Sequence, residues 1–275
     1  MKIPIIETIR LLASQSNSKV VRRPVADEKP FKVLSNILPT VLVDKTMVDI
    51  PISAIGNMSR TRAMKVPEQE PTWLGTLREY IHGKDWADEV LDYFANEIKG
   101  HPFPASGAQG TLQVNSYNGV CFGRNGNHRL VGLVCYLAAK YGDNSIAKCV
   151  EHQGVVYDEE VLSKLRKIYG CATNGIRLIS RLGLSDKLKK EVDNIINIDN
   201  RFYTFDGNDF VLLWTRTTKE SNKSQSHMLS SGAVCKFETQ RYTLLNHNDC
   251  TRLFTTTWLI DLLAAQNERE SVVNT

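Results

Sequence analysis

The sequence predicts a mixed α/β (α+β) fold with an appended C-terminal α+β unit, and three observations carry that prediction. Strand-like and helix-like segments alternate between residues 41 and 175, an Asn-Gly turn joins two alternating segments into a hairpin, and the composition is that of an ordinary globular chain. Of 275 residues, 42% are hydrophobic and 23% charged, which excludes disordered, collagen-like and fibrous classes. A chain of this length buries roughly 70–75% of its unfolded surface, so its core needs neither disulfides nor a structural metal.

The elements follow in order. Ile5, Ile9 and Leu12 set one stripe of an amphipathic helix from about Ile5 to Ser14, and Pro24 and Pro30 among charges make residues 17–32 a linker. Residues 1–40 therefore read as a basic arm and linker. The core, 41–175, opens with a short strand over Thr46 to Ile50. Residues 58–73 read as a loop whose Arg60, Arg62 and Lys65 form a basic face. Asp85 caps a helix in which Trp86, Val90, Phe94 and Ile98 recur every four residues, and Gly100 stops it. After a Pro- and Gly-rich stretch, Thr111 to Tyr117 and Val120 to Gly123 flank the Asn118-Gly119 turn. Leu130, Leu133, Val134, Leu137 and Tyr141 then mark a helix ending at Gly142. A strand or strand pair follows over 147–150 and 154–157, and Asp158 caps a helix to about Tyr169.

The C-terminal unit, 176–275, carries no functional assignment. Ser185 caps a helix over Asp186 to Ile196, and a second hairpin joins Phe202–Phe205 to Phe210–Thr215 through Asp206-Gly207. Ser221 to Ser231 is a loop, strands are expected at 234–238 and 242–245, and one helix at about 249–266.

Charge and cysteine usage bound the partners. The net charge of +4 is too small to announce a nucleic-acid groove, although the first 25 residues concentrate Lys2, Arg10, Lys19, Arg22 and Arg23 against Glu7 alone. The six cysteines stand at wide, irregular spacings, which predicts reduced, mostly buried thiols and a cytoplasmic setting. The longest nearly apolar run, 130–139, is too short to span a bilayer. No signal-peptide pattern opens the chain, and no membrane association is expected.

The segment that points to chemistry is Gly123-Arg124-Asn125-Gly126-Asn127-His128-Arg129. A hairpin that ends in two glycines and runs into a helix sets consecutive backbone amides at the helix N-terminus, where the dipole favours an anion. Arg129 can grip a phosphate with two parallel hydrogen bonds, and His128 can donate or carry a proton near neutral pH. A tight turn with Arg129 paired elsewhere is the competing structural reading. Cys149, Glu151 and His152 lack the second ligand pair of a zinc site, so a structural role is expected there. Asp206-Gly207-Asn208-Asp209 is read as a turn, not a calcium loop. Arg177, Arg181, Lys187, Lys189 and Lys190 read as a solvated basic face, and Arg201-Phe202-Tyr203 as strand packing.

A strand written Val48-Asp49-Ile50-Pro51-Ile52-Ser53-Ala54-Ile55, then a helix, a strand pair and Gly126-Asn127-His128-Arg129 opening a helix, resembles the ParB/sulfiredoxin superfamily over about residues 46–150. The resemblance implies a ParB/sulfiredoxin-like core that binds nucleotide phosphates. It implies that Gly126 admits the phosphate, Arg129 holds it and His128 occupies the variable basic position. Gly123 and Asn127 join the candidate binding set, and Arg124 adds a second guanidinium that the motif does not require. His128 and Arg129 are the catalytic candidates. Asn127 departs from the pattern: sulfiredoxins carry the catalytic cysteine there and many ParB-like proteins a glutamate. An amide is neither a thiolate nor a hard anionic ligand, which disfavours sulfinic acid repair. The implied cofactors are a nucleoside triphosphate and Mg²⁺, with Asp49 and Glu97 as candidate metal ligands. The reaction class would be nucleotide hydrolysis or phosphodiester cleavage by a hydrolase or nuclease. The alternatives are a non-catalytic DNA-binding or regulatory module and a phage- or plasmid-encoded adaptor with a protein partner.

Overall fold

The computed structural model describes residues 3–35, 38, 40–58, 67–98, 101–169, 176–180, 201–205, 209–214 and 243–273. The basic loop of Arg60, Arg62 and Lys65, the helix expected at 186–196, the serine loop, the strand expected at 234–238 and Arg181 lie outside them. The fold is mixed α/β. Two compact units divide the chain: residues 1–28, 42–156 and 256–275 form one, and 29–41 with 157–255 the other. This differs from the division expected above at both ends of the chain, because the N-terminal segment and the last helix both belong to the first unit.

In chain order the helices are α1 (Ile5–Gln15), α2 (Lys19–Arg22), α3 (Glu28–Ser35), α4 (Trp73–Tyr80), α5 (Val90–Ala95), α6 (Asn127–Tyr141), α7 (Glu159–Tyr169), α8 (His247–Thr255) and α9 (Trp258–Val273). The strands are β1 (Thr40–Pro51), β2 (Ile55–Met58), β3 (Gln113–Tyr117), β4 (Val120–Asn125), β5 (Ile146–Tyr157), β6 (Ile176–Ser180), β7 (Arg201–Phe205), β8 (Asp209–Trp214) and β9 (Thr243–Leu245).

The first unit is built on a mixed five-stranded sheet in the order β1-β5-β3-β4-β2. The predicted hairpin is its centre: β3 and β4 pair antiparallel with Tyr117 opposite Val120, across a turn in which Asn118 and Gly119 both take positive φ (51° and 87°). β3 runs parallel to β5, and β4 parallel to β2. α6 packs on β2 and β4 and also meets α1, α2, α4 and α5. Leu130, Val131, Leu133, Val134 and Cys135 are accordingly all fully buried. β5 is one twelve-residue strand, with Cys149 at φ 56° as its irregular point.

The N-terminal segment is packed, not an arm. Ile6, Ile9 and Ala13 of α1 are buried, and the basic side chains nearby serve backbone carbonyls. Arg10 donates to Leu77 and Ile81, and Arg23 to Ile52, Ser53 and Ile55. α5 is shorter than its apolar stripe predicted, because both flanks bond elsewhere: the Ala87 amide to Pro104 O at 2.9 Å and the Ile98 amide to Lys148 O at 3.1 Å. Trp86 and Ile98 nevertheless reach the core. α4 was not anticipated; Thr72 caps it by accepting from the Gly75 amide at 3.1 Å.

The second unit contains a four-stranded sheet in the order β7-β8-β6-β9, with β7 and β8 antiparallel as the second hairpin predicted. Arg177 falls on β6 and Arg201, Phe202 and Tyr203 on β7. The single C-terminal helix expected is two, α8 and α9. The break comes where Thr257 bonds into the first turn of α9: its hydroxyl donates to Asp261 Oδ2 at 3.0 Å, and its carbonyl accepts the Asp261 amide at 3.0 Å.

Candidate functional site

The motif builds one side of a cleft. β4 ends at Asn125, Gly126 turns the chain with φ 77° and ψ 38°, and α6 begins at Asn127. Left-handed geometry of this kind costs a residue with a Cβ about 1–2 kcal/mol, which is why a glycine stands there. Gly126 supplies no capping side chain, and its carbonyl accepts the Leu130 amide at 2.9 Å. Fifteen residues of helix dipole thus point their positive end at the cleft mouth.

The cleft encloses about 410 Å³, within the usual range for small-molecule sites. Gly126, Asn127, His128 and Arg129 line it from α6, and Ser106 and Gly107 from the Pro- and Gly-rich stretch. The wall opposite is the turn after α4, His82-Gly83-Lys84-Asp85, with Trp86 behind it. Sequence reading missed this turn. A His-Gly-Lys-Asp tetrapeptide is a visible signal of a polar turn, but nothing in its spacing says that it faces residue 128.

His128 is exposed at the rim, and its pKa is lowered by partial burial and then by His82 across the cleft. A charge on His82 repels a second proton on His128 and so favours its neutral ring. Lys84 adds a fixed positive charge, and Asp85 a carboxylate.

Arg129 occupies a different place from the one expected of a phosphate clamp. It is 6% exposed, its Nη1 donates to Gly110 O at 2.9 Å and its Nη2 to Gln109 O at 2.8 Å. The guanidinium also lies 5.2 Å from the centre of the Phe103 ring, a cation–π contact. The Tyr93 phenol is pushed up by burial, and Arg129 partly offsets that. The fork therefore ties the 101–110 stretch to α6 and shapes the cleft. Gly126 serves this arrangement too: a Cβ there would come within 2.9 Å of Arg129 Nε.

Gly123 lies beneath the cleft. A Cβ on it would meet Asn127 Oδ1 at 2.7 Å and Leu130 Cδ2 at 2.8 Å, so its absence seats α6 on β4. Arg124 is exposed on β4 and is not part of the lining. The structure thus brings four of the six predicted residues, Gly126 to Arg129, to one cleft, and leaves Gly123 as support and Arg124 outside.

The metal candidates do not join them. Asp49 Oδ1 accepts the Cys149 amide at 2.9 Å, and Glu97 lines a separate cleft with Glu89, Asp92 and His101. Among the described residues no three His, Cys, Asp or Glu side chains gather as a metal site. Cys149, Glu151 and His152 are split apart: Glu151 pairs with Lys45 at 2.7 Å, while His152 is buried beside Ser116. Cys121, Cys135 and Cys149 are free thiols, and burial pushes Cys121 and Cys135 well above the usual thiol range. Among the described residues no helix is long and apolar enough to cross a membrane.

Comparison with family models, curated proteins and solved structures finds no match for this chain.

Proposed function

We propose that the chain is a phosphate-binding protein of ParB/sulfiredoxin-like type that holds a nucleotide in the cleft at the start of α6. The observation that carries this reading is the meeting, in one 410 Å³ cleft, of a long helix's N-terminus with His128, His82 and Lys84. Trp86, half-buried in the same lining, offers aromatic surface to a base. The hairpin, the Gly126 turn and α6 follow the order that the family resemblance implies. In this reading His128, His82 and Lys84 touch the phosphates, and Arg129 is a positioning residue that holds the 101–110 wall.

Binding without turnover is the form favoured, because Asn127 supplies neither a nucleophile nor a metal ligand and Asp49 and Glu97 sit apart from the cleft. Hydrolysis, if present, would draw on Asp85 as the lining carboxylate and His128 as proton carrier, with Mg²⁺ brought in by the nucleotide. A cytoplasmic setting belongs to the same proposal, supported by the free thiols. Calorimetric titration with ATP, GTP and a DNA duplex, each with and without Mg²⁺, tests it. Nucleotide binding that weakens at least tenfold in both His128→Ala and Lys84→Ala is the expected result. Binding of duplex alone, with affinity falling steeply as salt rises, would favour the DNA-binding module instead. Nucleotide binding untouched by either substitution would remove the site.

A further inference from the structure

His152 stands on β5 in the middle of the first unit's sheet and is 1% exposed. Its Nε2 lies 2.7 Å from Ser116 Oγ on β3, while its Nδ1 is buried with no hydrogen-bond partner among the described residues. Gly154 makes room for the pair: a Cβ there would lie 2.2 Å from Ser116 Oγ and 3.3 Å from His152 Nε2. The ring is covered by Trp258, the first residue of α9, edge-on at 5.6 Å. Trp258 Nε1 in turn donates to Gly119 O at 2.7 Å, and Leu259 beside it is 1% exposed.

We propose that His152 is an acid-sensitive latch for α9: a proton on its buried ring releases Trp258 and the helix from the sheet. A neutral imidazole needs one donor and one acceptor role, and Ser116 satisfies one nitrogen whichever tautomer is present. The imidazolium has two N–H donors, and the described residues offer the second no acceptor. Among the described residues no charged group faces the ring. From β3 it meets Ser116, from β5 Gly154 and from α9 Trp258; from β4 the thiol of Cys121 shares the sheet face, bonded to Gly119 O at 3.5 Å. Glu151 is turned to Lys45 and Thr111, and Asp261 to Thr257. Burial is accordingly the sole cause that holds the His152 pKa down at about 4.

Relief comes from the cover. β3 and β5 are interior strands held on both sides, whereas α9 meets the ring through one indole. Lifting α9 brings water to Nδ1 and restores an ordinary histidine. Between a pKa of about 4 closed and about 6.5 open, acid can raise the opening equilibrium by up to roughly 300-fold. The closed state is therefore fully favoured above pH 6.5 and is progressively lost as the pH falls toward 4.

Hydrogen exchange followed by mass spectrometry on the full chain tests the latch, with wild type and His152→Gln compared at each pH so that intrinsic exchange cancels. Gln keeps a partner for Ser116 and does not titrate. Relative to its value at pH 7.5, the ratio of α9 opening, wild type over variant, should rise about 70-fold by pH 4.5, with α9 opening more readily than α6 at every pH. A flat ratio, or α9 and α6 opening with one common equilibrium that marks global unfolding, would overturn the proposal. NMR titration of the His152 ring in wild type and Trp258→Ala supplies a second reading that needs no His152 variant. Removing the indole should return the ring to near its ordinary value, and a ring that still titrates near 4 would overturn the latch.

Discussion

At the scale of single residues, Arg129 shows how one side chain fits two chemical roles that a motif does not separate. A direct phosphate contact depends mostly on charge, so lysine at 129 would retain much of it. A fork bridging the carbonyls of Gln109 and Gly110 depends on two coplanar donors, and lysine cannot replace them. Arg129→Lys is therefore expected to lower stability by about 1–3 kcal/mol, read as a drop in the urea midpoint at unchanged slope. A variant with unchanged midpoint but lost nucleotide binding would return Arg129 to the clamp role. His128 gives the complementary pH prediction. Its pKa lies below the ordinary histidine value through partial burial and His82, and an anion prefers the protonated ring. Phosphate affinity should be weakest well above pH 6.5 and strengthen as pH falls below it, a trend that calorimetry would find flattened in His128→Asn.

At the scale of elements, α2 tests how a four-residue helix survives when intrinsic helix stability is negligible at that length. Its N-terminus is held from afar: Ser18 accepts from the Val21 amide at 3.1 Å and donates to Asp143, whose carboxylate also takes the Lys19 amide at 3.0 Å and the Val20 amide at 3.2 Å. Burial works to raise the Asp143 pKa, but the Ser18 hydroxyl and the two amides outweigh it and hold it low. Asp143→Ala should cost about 0.5–2 kcal/mol at pH 7, and the difference from wild type should vanish as pH falls through the depressed pKa. Equal destabilisation at acidic pH would mean packing, not the charge-assisted cap, is what Asp143 supplies. None of this was legible locally, since Ser18 and Asp143 are 125 residues apart. What was legible was short-range: the Asn118-Gly119 hairpin, the start of α6 at a glycine turn and its end at Gly142. Stripes also found apolar faces correctly while misjudging element length, as Ile98 in the core and Trp86 packed against it both lie outside α5. The candidate cleft divides the same way. Its α6 side is a contiguous motif, whereas His82 and Lys84 reach it through tertiary packing that no spacing rule encodes.

At the scale of the whole molecule, the order of the chain and the order of its compact units disagree, and that disagreement has a measurable consequence. The first unit is left after Val156 and completed only when the chain returns at Thr256 with α9. Leu259 is buried there, and Trp258 and Leu262 pack on the same core, covering His152 and the turn at Gly119. Removing residues 256–275 uncovers these apolar groups and leaves the Gly119 carbonyl without its indole donor. Burial of one such side chain is worth about 1.5–3 kcal/mol, so the shortened chain should lose roughly 3–5 kcal/mol from the first unit, a large part of the stability of an ordinary domain. Hydrogen exchange localises the effect: α6, β3 and β5 should lose protection, while the sheet of β6 to β9 keeps it. An unchanged urea midpoint, or loss confined to the second unit, would show that α9 does not complete the first. Because the intervening hundred or so residues take on the order of 5–20 s to synthesise, the first unit also spends that interval with its His152 face open to solvent.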